Sequence, residues 1–317
     1  MTNRPTHQPV LVERVVALLA PALSTPGSVY VDATLGLAGH ASAILEHCPG
    51  ARLLGLDRDR QALALAAERL APFGDRVTLV EAVFDELPEV LAAQGLTTVA
   101  AINFDFGLSS LQIDDRQRGF AYAADAPLDM RMSPETTTVT AADLVNQASA
   151  SQLAGLFRRA ADERFAGRIA AAIVAEREQA PFTSSARLVS TITAAVPAQA
   201  SGGHPAKRVF QALRMAVNDE TETLHRALPA ALKALAVGGR ISLLSYHSGE
   251  DRFVKRTLAA AAQDRVPPGL VVVPDHLRAE FRLLTAGAER PTAAEQAANP
   301  RSASARLRAA ERIQEAA

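Results

Sequence analysis

Apolar and polar positions alternate in blocks along the first third of the chain, and the blocks predict strands and helices in turn. SVYVDA (28–33) is a short apolar run ending at Asp32. ARLLGLD (51–57) is a second such run and again ends in an acid, Asp57. RVTLVEAVF (76–84) and TTVAAINFDFG (97–107) supply a third and a fourth. Between them lie a helical stretch around Ser42 to His47 and a longer one, QALALAAERLAPFG, closed by Pro72 and Gly74. Strand, helix, strand at this spacing predicts right-handed crossovers and a parallel sheet.

From about Thr140 to Val196 the pattern changes to helices without strand runs. Leu153, Leu156 and Phe157 fall at i, i+3, i+4, and Phe165, Ile169 and Ile173 at successive i+4 steps. Pro181 ends the second of these helices, and Ser184 or Ser185 is placed to cap a third. After them HPAKRVFQALRMAVNDE reads as a helix, and GGRISLLSYHS as a further strand released by Gly238 and Gly239. The arginine-rich tail from Asn299, NPRSASARLRAAER, reads either as a mobile basic arm or as a docked helix. The fold class is therefore α/β: a doubly wound domain carrying an all-helical insertion.

Composition narrows the picture only a little. The 317 residues are 48% hydrophobic and 21% charged, with a formal charge of −1. No run approaches the length that spans a bilayer, and the start MTNRPTHQPV lacks the apolar core of a secretory signal. Cys48 is the single cysteine, which excludes an intrachain disulfide and a cysteine-rich metal site; it is expected as a packing residue near a helix end. These features predict a cytosolic protein. The near-neutral charge means that any nucleic-acid binding relies on local clusters of Arg and Lys.

Candidate chemistry sits at the strand ends. VDATLGLAGH has the form of a strand, a glycine-bearing loop and a helix start, suited either to a plain βα turn or to close approach of a ligand. Asp57 lies where an acid meets ribose hydroxyls, although it is equally a helix cap, a role Asp59 shares. Loop and acid together favour an adenosine-containing cofactor without separating NAD from S-adenosylmethionine. Asp105 leaves the fourth strand at its carboxyl end, where open parallel sheets place ligands. A carboxylate there suits methyl transfer to an exocyclic amine. By accepting the N–H bonds it favours the pyramidal nitrogen that attacks a sulfonium methyl, and correct alignment does the rest. Its competing role is to cap the loop at Ser109 or Ser110.

In the helix from His204, Lys207, Gln211, Arg214 and Asn218 form a polar stripe opposite Phe210, Leu213 and Val217. With Arg208 beside it, that stripe suits phosphate and base contacts. His247 falls just past a strand end, as substrate contact or loop support, and Arg252, Lys255 and Arg256 add positive charge after it. Arg118, Asp129 and Arg131 in RGFAYAADAPLDMRM are expected to form ion pairs within an irregular loop.

Taken in order, HQPVLVERVV, DATLGLAGH, GLDRD, FDFGLSSLQIDD, RGFAY, PLDMRM, HPAKRVFQALRMAVNDE, SYHSGEDRFVKR and NPRSASARLR closely resemble the RsmH (MraW) family of ribosomal RNA methyltransferases, over nearly the whole chain. The resemblance implies N4-methylation of a cytidine in the decoding region of small-subunit (16S) rRNA, with S-adenosylmethionine as cofactor and no metal. It implies a Rossmann-like class I methyltransferase domain over 1–135 and 205–317, with a helical substrate-recognition domain inserted over 136–204. Cofactor contacts carry over onto Ala38, Gly39, His40, Asp57, Phe84, Asp105 and Gln112, with Phe84 against the adenine and Gln112 near the methionine end. Asp105 is the catalytic candidate, and Lys207, Arg208, Gln211, Arg214, His247, Arg252 and Lys255 are the candidates for binding RNA, within the small ribosomal subunit. A homodimer is left open. The chain departs from the family pattern at Ala38, where the first of two paired glycines is usual, and at Gly249, Asn103 and ADERFAGRIA. Two other readings remain at this stage: an NAD-linked oxidoreductase, and a non-catalytic RNA-binding relative.

Overall fold

The computed structural model describes residues 9–197, 203–265, 274 and 277–315. Seven strands form one sheet, β1 Val29–Asp32, β2 Arg52–Asp57, β3 Val77–Glu81, β4 Val99–Asp105, β5 Leu235–Ser245, β6 Phe281–Leu283 and β7 Arg306–Arg312. Their spatial order is β3-β2-β1-β4-β5-β7-β6. The first five run parallel, and β7 lies antiparallel between β5 and β6. The order reverses direction between β1 and β4, so the switch point of the sheet lies at the carboxyl ends of these two strands. Asp32 and Asp105 are the last residues of those strands.

The apolar runs are continuous because both faces of the sheet are covered. Val31, Leu54, Ile102, Phe104 and Leu243 pack on one face, and Tyr30, Leu53, Ala101 and Leu244 on the other. In chain order the helices of the first part are α1 Val12–Leu19, α2 Gly39–His47, α3 Arg60–Leu70 and α4 Leu87–Ala93. Asp59 starts α3 by accepting from the Gln61 and Ala62 amides. Cys48 is buried at the end of α2, as expected. There follow α5 Ser110–Asp114, α6 Ala141–Gln147, α7 Ala150–Ala161, α8 Ala166–Arg177, α9 Ser185–Ala195 and α10 Ala206–Val217. The chain then returns to the sheet through α11 Glu220–Ala234, α12 Ser248–Ala261 and α13 Ala293–Ala298.

The chain divides into two compact units, 1–107 with 223–317, and 108–222. The second is wider than the insertion predicted at 136–204. Its core explains why: Leu153, Phe157, Ile169, Ile173, Leu188, Phe210 and Leu213 pack together with Phe120, Leu128, Met130 and Met132 from the irregular segment before α6. Arg131 pairs with Asp129 at 2.6 Å, as expected, and the Arg118 guanidinium holds the segment by donating to the Met132 carbonyl at 2.7 Å.

Two local expectations fail. The helix before β5 ends at Ala234, and Gly238 lies inside the strand at φ 81, where the pairing with β4 shifts register. The glycine serves an irregularity in the strand, not a helix end. The tail is neither an arm nor a docked α-helix: after a 3-10 turn at Pro300–Ser304, residues 306–312 are the strand β7. Arg306 and Arg308 bind the buried Asp251 at 3.1 and 2.7 Å. Arg312 is itself buried and donates to the Lys233 and Leu235 carbonyls. Among the described residues no helix is long and apolar enough to cross a membrane.

Candidate active site

The loop between β1 and α2 turns on two left-handed residues. Gly36 has φ 51, and Ala38 has φ 57 and ψ 32 and is fully buried. The loop closes through the Ala38 amide on the Leu35 carbonyl at 2.8 Å. Gly39 is required by space: a Cβ there would lie 2.9 Å from the Pro9 Cγ. Alanine adopts the left-handed region at a cost of about 1–2 kcal/mol, which glycine largely avoids. Ala38→Gly is therefore expected to stabilise the protein by about 0.5–1 kcal/mol after the extra chain entropy of glycine is set against it. Urea denaturation checks this; a loss of stability would mean that the methyl packs better than the backbone suffers.

At the end of β2, Asp57 accepts from the Gly36 amide through Oδ2 at 2.7 Å and from the Asp59 amide through Oδ1 at 2.9 Å. It thus ties the loop to the neighbouring strand, while the cap of α3 belongs to Asp59. Burial pushes the Asp57 carboxyl up to about 6, against the pull of these two amides. Asp57 is only partly buried, so its carboxylate can take further donors, which is what a ribose diol offers. Beyond β3, Phe84 stands edge-on to Phe104 at 5.8 Å and tilted to Phe106 at 5.9 Å, making an apolar aromatic wall.

Asp105 sits at the switch point. Its amide donates to the Thr34 hydroxyl at 2.6 Å, and its Oδ1 accepts from the Tyr246 hydroxyl at 2.7 Å. Oδ2 lies 3.7 Å from His40 Nδ1. The other ring nitrogen of His40 is 2.9 Å from the Val10 carbonyl, which can only accept, so Nε2 carries the proton. Next to this pair Asp32 accepts from the Tyr30 hydroxyl at 3.0 Å and the Thr34 amide at 3.3 Å. Burial raises Asp32 to about 6, with His40 pulling it down and Asp105 adding to the rise. Burial first, and then the charge of Asp105, push the Tyr246 phenol well above its ordinary range. That hydroxyl remains a donor at every physiological pH.

The residue pattern points to Asp57 and Asp105, the family resemblance adds His40 and Phe84, and the fold puts each of them at or beside the carboxyl ends of the parallel strands. Both miss Asp32, Thr34 and Tyr246. The available signals were that Asp32 also ends a strand and that Tyr246 directly follows one. His247 is loop support: its Nδ1 accepts from the Gly249 and Glu250 amides at 3.2 and 3.4 Å and caps α12. Arg252 and Lys255 are exposed on α12.

The remaining candidates belong to the second unit. Gln112 accepts from the Ser109 amide at 3.1 Å and closes the start of α5. On α10, Lys207 and Arg208 are exposed, with Arg208 3.9 Å from Glu163. Gln211 points along the helix at the Met215 sulfur, 3.8 Å away. Arg214 departs from the predicted stripe: it makes a two-pronged ion pair with Glu220 at 2.7 and 2.8 Å. Asn218 is buried, bonded to the Met130 carbonyl and the Met132 amide. The lower half of the stripe thus serves the fold, and only its upper end presents charge to solvent.

Residues 4–313 match the MraW methylase family. The chain belongs to this family. Its sequence is 55% identical over 311 residues to the ribosomal RNA small subunit methyltransferase H of Streptomyces avermitilis, covering 98% of each chain. The proteins of the same name from a Nocardioides species and from Saccharopolyspora erythraea are 57% identical over 315 residues and 58% identical over 316. They are covered to 98% and 95%, each by 99% of this chain. With a β7 antiparallel between β5 and β6, the sheet of this MraW-family chain is that of a Rossmann-like class I methyltransferase. Family membership removes the NAD-linked oxidoreductase as a competing reading.

Proposed function

We propose that the protein transfers a methyl group from S-adenosylmethionine to N4 of a cytidine in the decoding region of 16S rRNA, in the cytosol. The reading rests on one observation above all: a carboxylate, Asp105, stands at the switch point of a methylase-family sheet, oriented by a donor on one oxygen. The names of the relatives support a small-subunit rRNA substrate. S-adenosylmethionine, when bound, supplies a methyl group already activated as a sulfonium.

The residues then have separable tasks. Asp57 accepts the ribose hydroxyls while holding the loop through Gly36. Phe84 lines the adenine side, and the Ala38–His40 turn allows close backbone approach. Asp105 accepts from the exocyclic amine, directs its lone pair at the methyl, and takes up the proton that nitrogen must lose. The contribution is alignment and fixed electrostatics. Lys207 and Arg208 on α10, with Arg252 and Lys255 on α12, contact phosphates, and the helical unit recognises the RNA. Gln112 is assigned to the methionine end of the cofactor by the family resemblance alone.

Incubating the purified protein with small ribosomal subunits and S-adenosylmethionine, followed by mass spectrometry of the nucleosides, tests the reading. N4-methylcytidine is the expected product; a methyl group on another base, or none despite cofactor binding, overturns it. The Asp57 carboxyl gives a second expectation. Hydroxyls donating to it favour its ionised form, so cofactor binding needs Asp57 deprotonated. Affinity should be constant above pH 6 and weaken about tenfold per unit below it. Calorimetry in the wild type and in Asp57→Asn checks this, since the variant should bind weakly but lose most of that slope.

A further inference from the structure

Tyr246 lies in a segment of the family pattern but is not one of the site residues carried over from it, yet its hydroxyl makes the 2.7 Å bond to Asp105 Oδ1. The segment after β5 aims it there. The Tyr246 amide donates to Glu250 Oε2 at 2.9 Å, from the first turn of α12. His247 caps that same helix through Nδ1, and its Nε2 lies 3.1 Å from Glu250 Oε1. Asp251, the next residue, is locked by Arg306 and Arg308 of β7. On its other side the Tyr246 ring lies over Gly107, whose φ is 104 and where a Cβ would be 3.5 Å from the ring. YHSGED thus forms a rigid corner whose polar product is one phenol hydroxyl directed at one carboxylate oxygen.

We infer that Tyr246 is a positioning residue for methyl transfer: by donating to Oδ1 it fixes the plane of the Asp105 carboxylate and holds it ionised, so that Oδ2 is presented to the incoming amine. The inference rests on the reading of Asp105 given above. Such a device has a use here because a second carboxylate, Asp32, shares the cluster with Asp105. Asp32 is raised in part by the charge of Asp105, and Tyr30 behind it is a neutral phenol. His40 offers Asp105 no direct hydrogen bond at 3.7 Å. Tyr246 is a donor in direct contact with the carboxylate, and its own ionisation is suppressed.

Tyr246→Phe keeps the ring over Gly107 and removes only the donor. A hydrogen bond to a charged group corresponds to about ten- to hundredfold in an equilibrium. The variant should therefore show kcat for small subunits lowered about ten- to hundredfold with KM little changed, and the acidic limb of its pH profile moved up by about one to two units. Carbon-13 NMR of carboxyl-labelled aspartate, with Asp105→Asn assigning the signal, should show the Asp105 titration moved up by the same amount in the protein without substrate. A titration that stays in place, whatever kcat does, reduces Tyr246 to packing and overturns the inference. So does a titration that moves while kcat does not. If the wild type itself fails to methylate small subunits, the proposed reaction falls, and the NMR titration alone decides whether Tyr246 governs Asp105.

Discussion

Asp105→Ala should lower methyl transfer by about a thousandfold or more while leaving the protein folded. The size follows from what is lost: the acceptor that pyramidalises the amine and the base that takes its proton, a pair of effects worth roughly 10²–10⁴. The persistence of the fold follows from where Asp105 sits. It is partly exposed at a strand end, and its amide bond to Thr34 does not need the side chain. Removing its charge also relieves Asp32, which that charge helps to raise. Thermal stability should hold or increase slightly, and cofactor affinity should fall far less than kcat. Single-turnover methylation of small subunits, paired with calorimetry on the same preparation, measures both. Near-normal turnover would remove Asp105 from the mechanism, and a cofactor affinity lost in parallel would make it a binding residue only.

The strand-end acids were legible because a sheet covered on both faces writes its strands as unbroken apolar runs, and a charge can enter only where a run stops. Asp57 and Asp105 therefore mark the ligand side of the sheet in the sequence itself, and Asp32 carries the same mark without having been singled out. The roles of Arg214 and the tail were hidden because their partners are set by turns and pairings that no period reports. Glu220 is six residues beyond Arg214, which is off the helix repeat. It meets the guanidinium only because α10 stops at Val217 and Asp219 takes φ 52. In the tail, Leu307 and Ala309 alternate with Arg306 and Arg308 as a strand requires. The arginines read as a mobile basic arm or a docked helix until Asp251, more than fifty residues earlier, is seen between them. Tyr246 escaped for a related reason. Its partner is 141 residues away, and a tyrosine after a strand carries no periodic signature.

The edge of the helical unit was hidden by a loop, and the same loop carries the largest expected effect on stability. Gly119 has φ 71, and a Cβ on it would lie 2.0 Å from the Pro127 carbonyl oxygen and 3.2 Å from the Asp129 amide. Both are backbone atoms, so no rotamer change relieves the clash. Nor can the backbone yield easily. The Met130 amide is bonded to the Arg118 carbonyl at 2.9 Å, the Ala141 amide to the Asp129 carbonyl at 2.9 Å and the Ala142 amide to the Leu128 carbonyl at 2.8 Å. Leu128, Met130 and Met132 are anchored in the core of the second unit. Gly119→Ala must therefore break part of this lattice as well as adopt a left-handed alanine, for a loss of roughly 3–5 kcal/mol. Gly95→Ala is the internal comparison, because Gly95 has φ 68 but nothing within 4 Å of its Cβ position. It carries the conformational cost alone, about 1–2 kcal/mol. Urea denaturation of the two variants separates crowding from backbone strain. Equal losses would mean that the 118–132 segment shifts freely and does not brace the second unit.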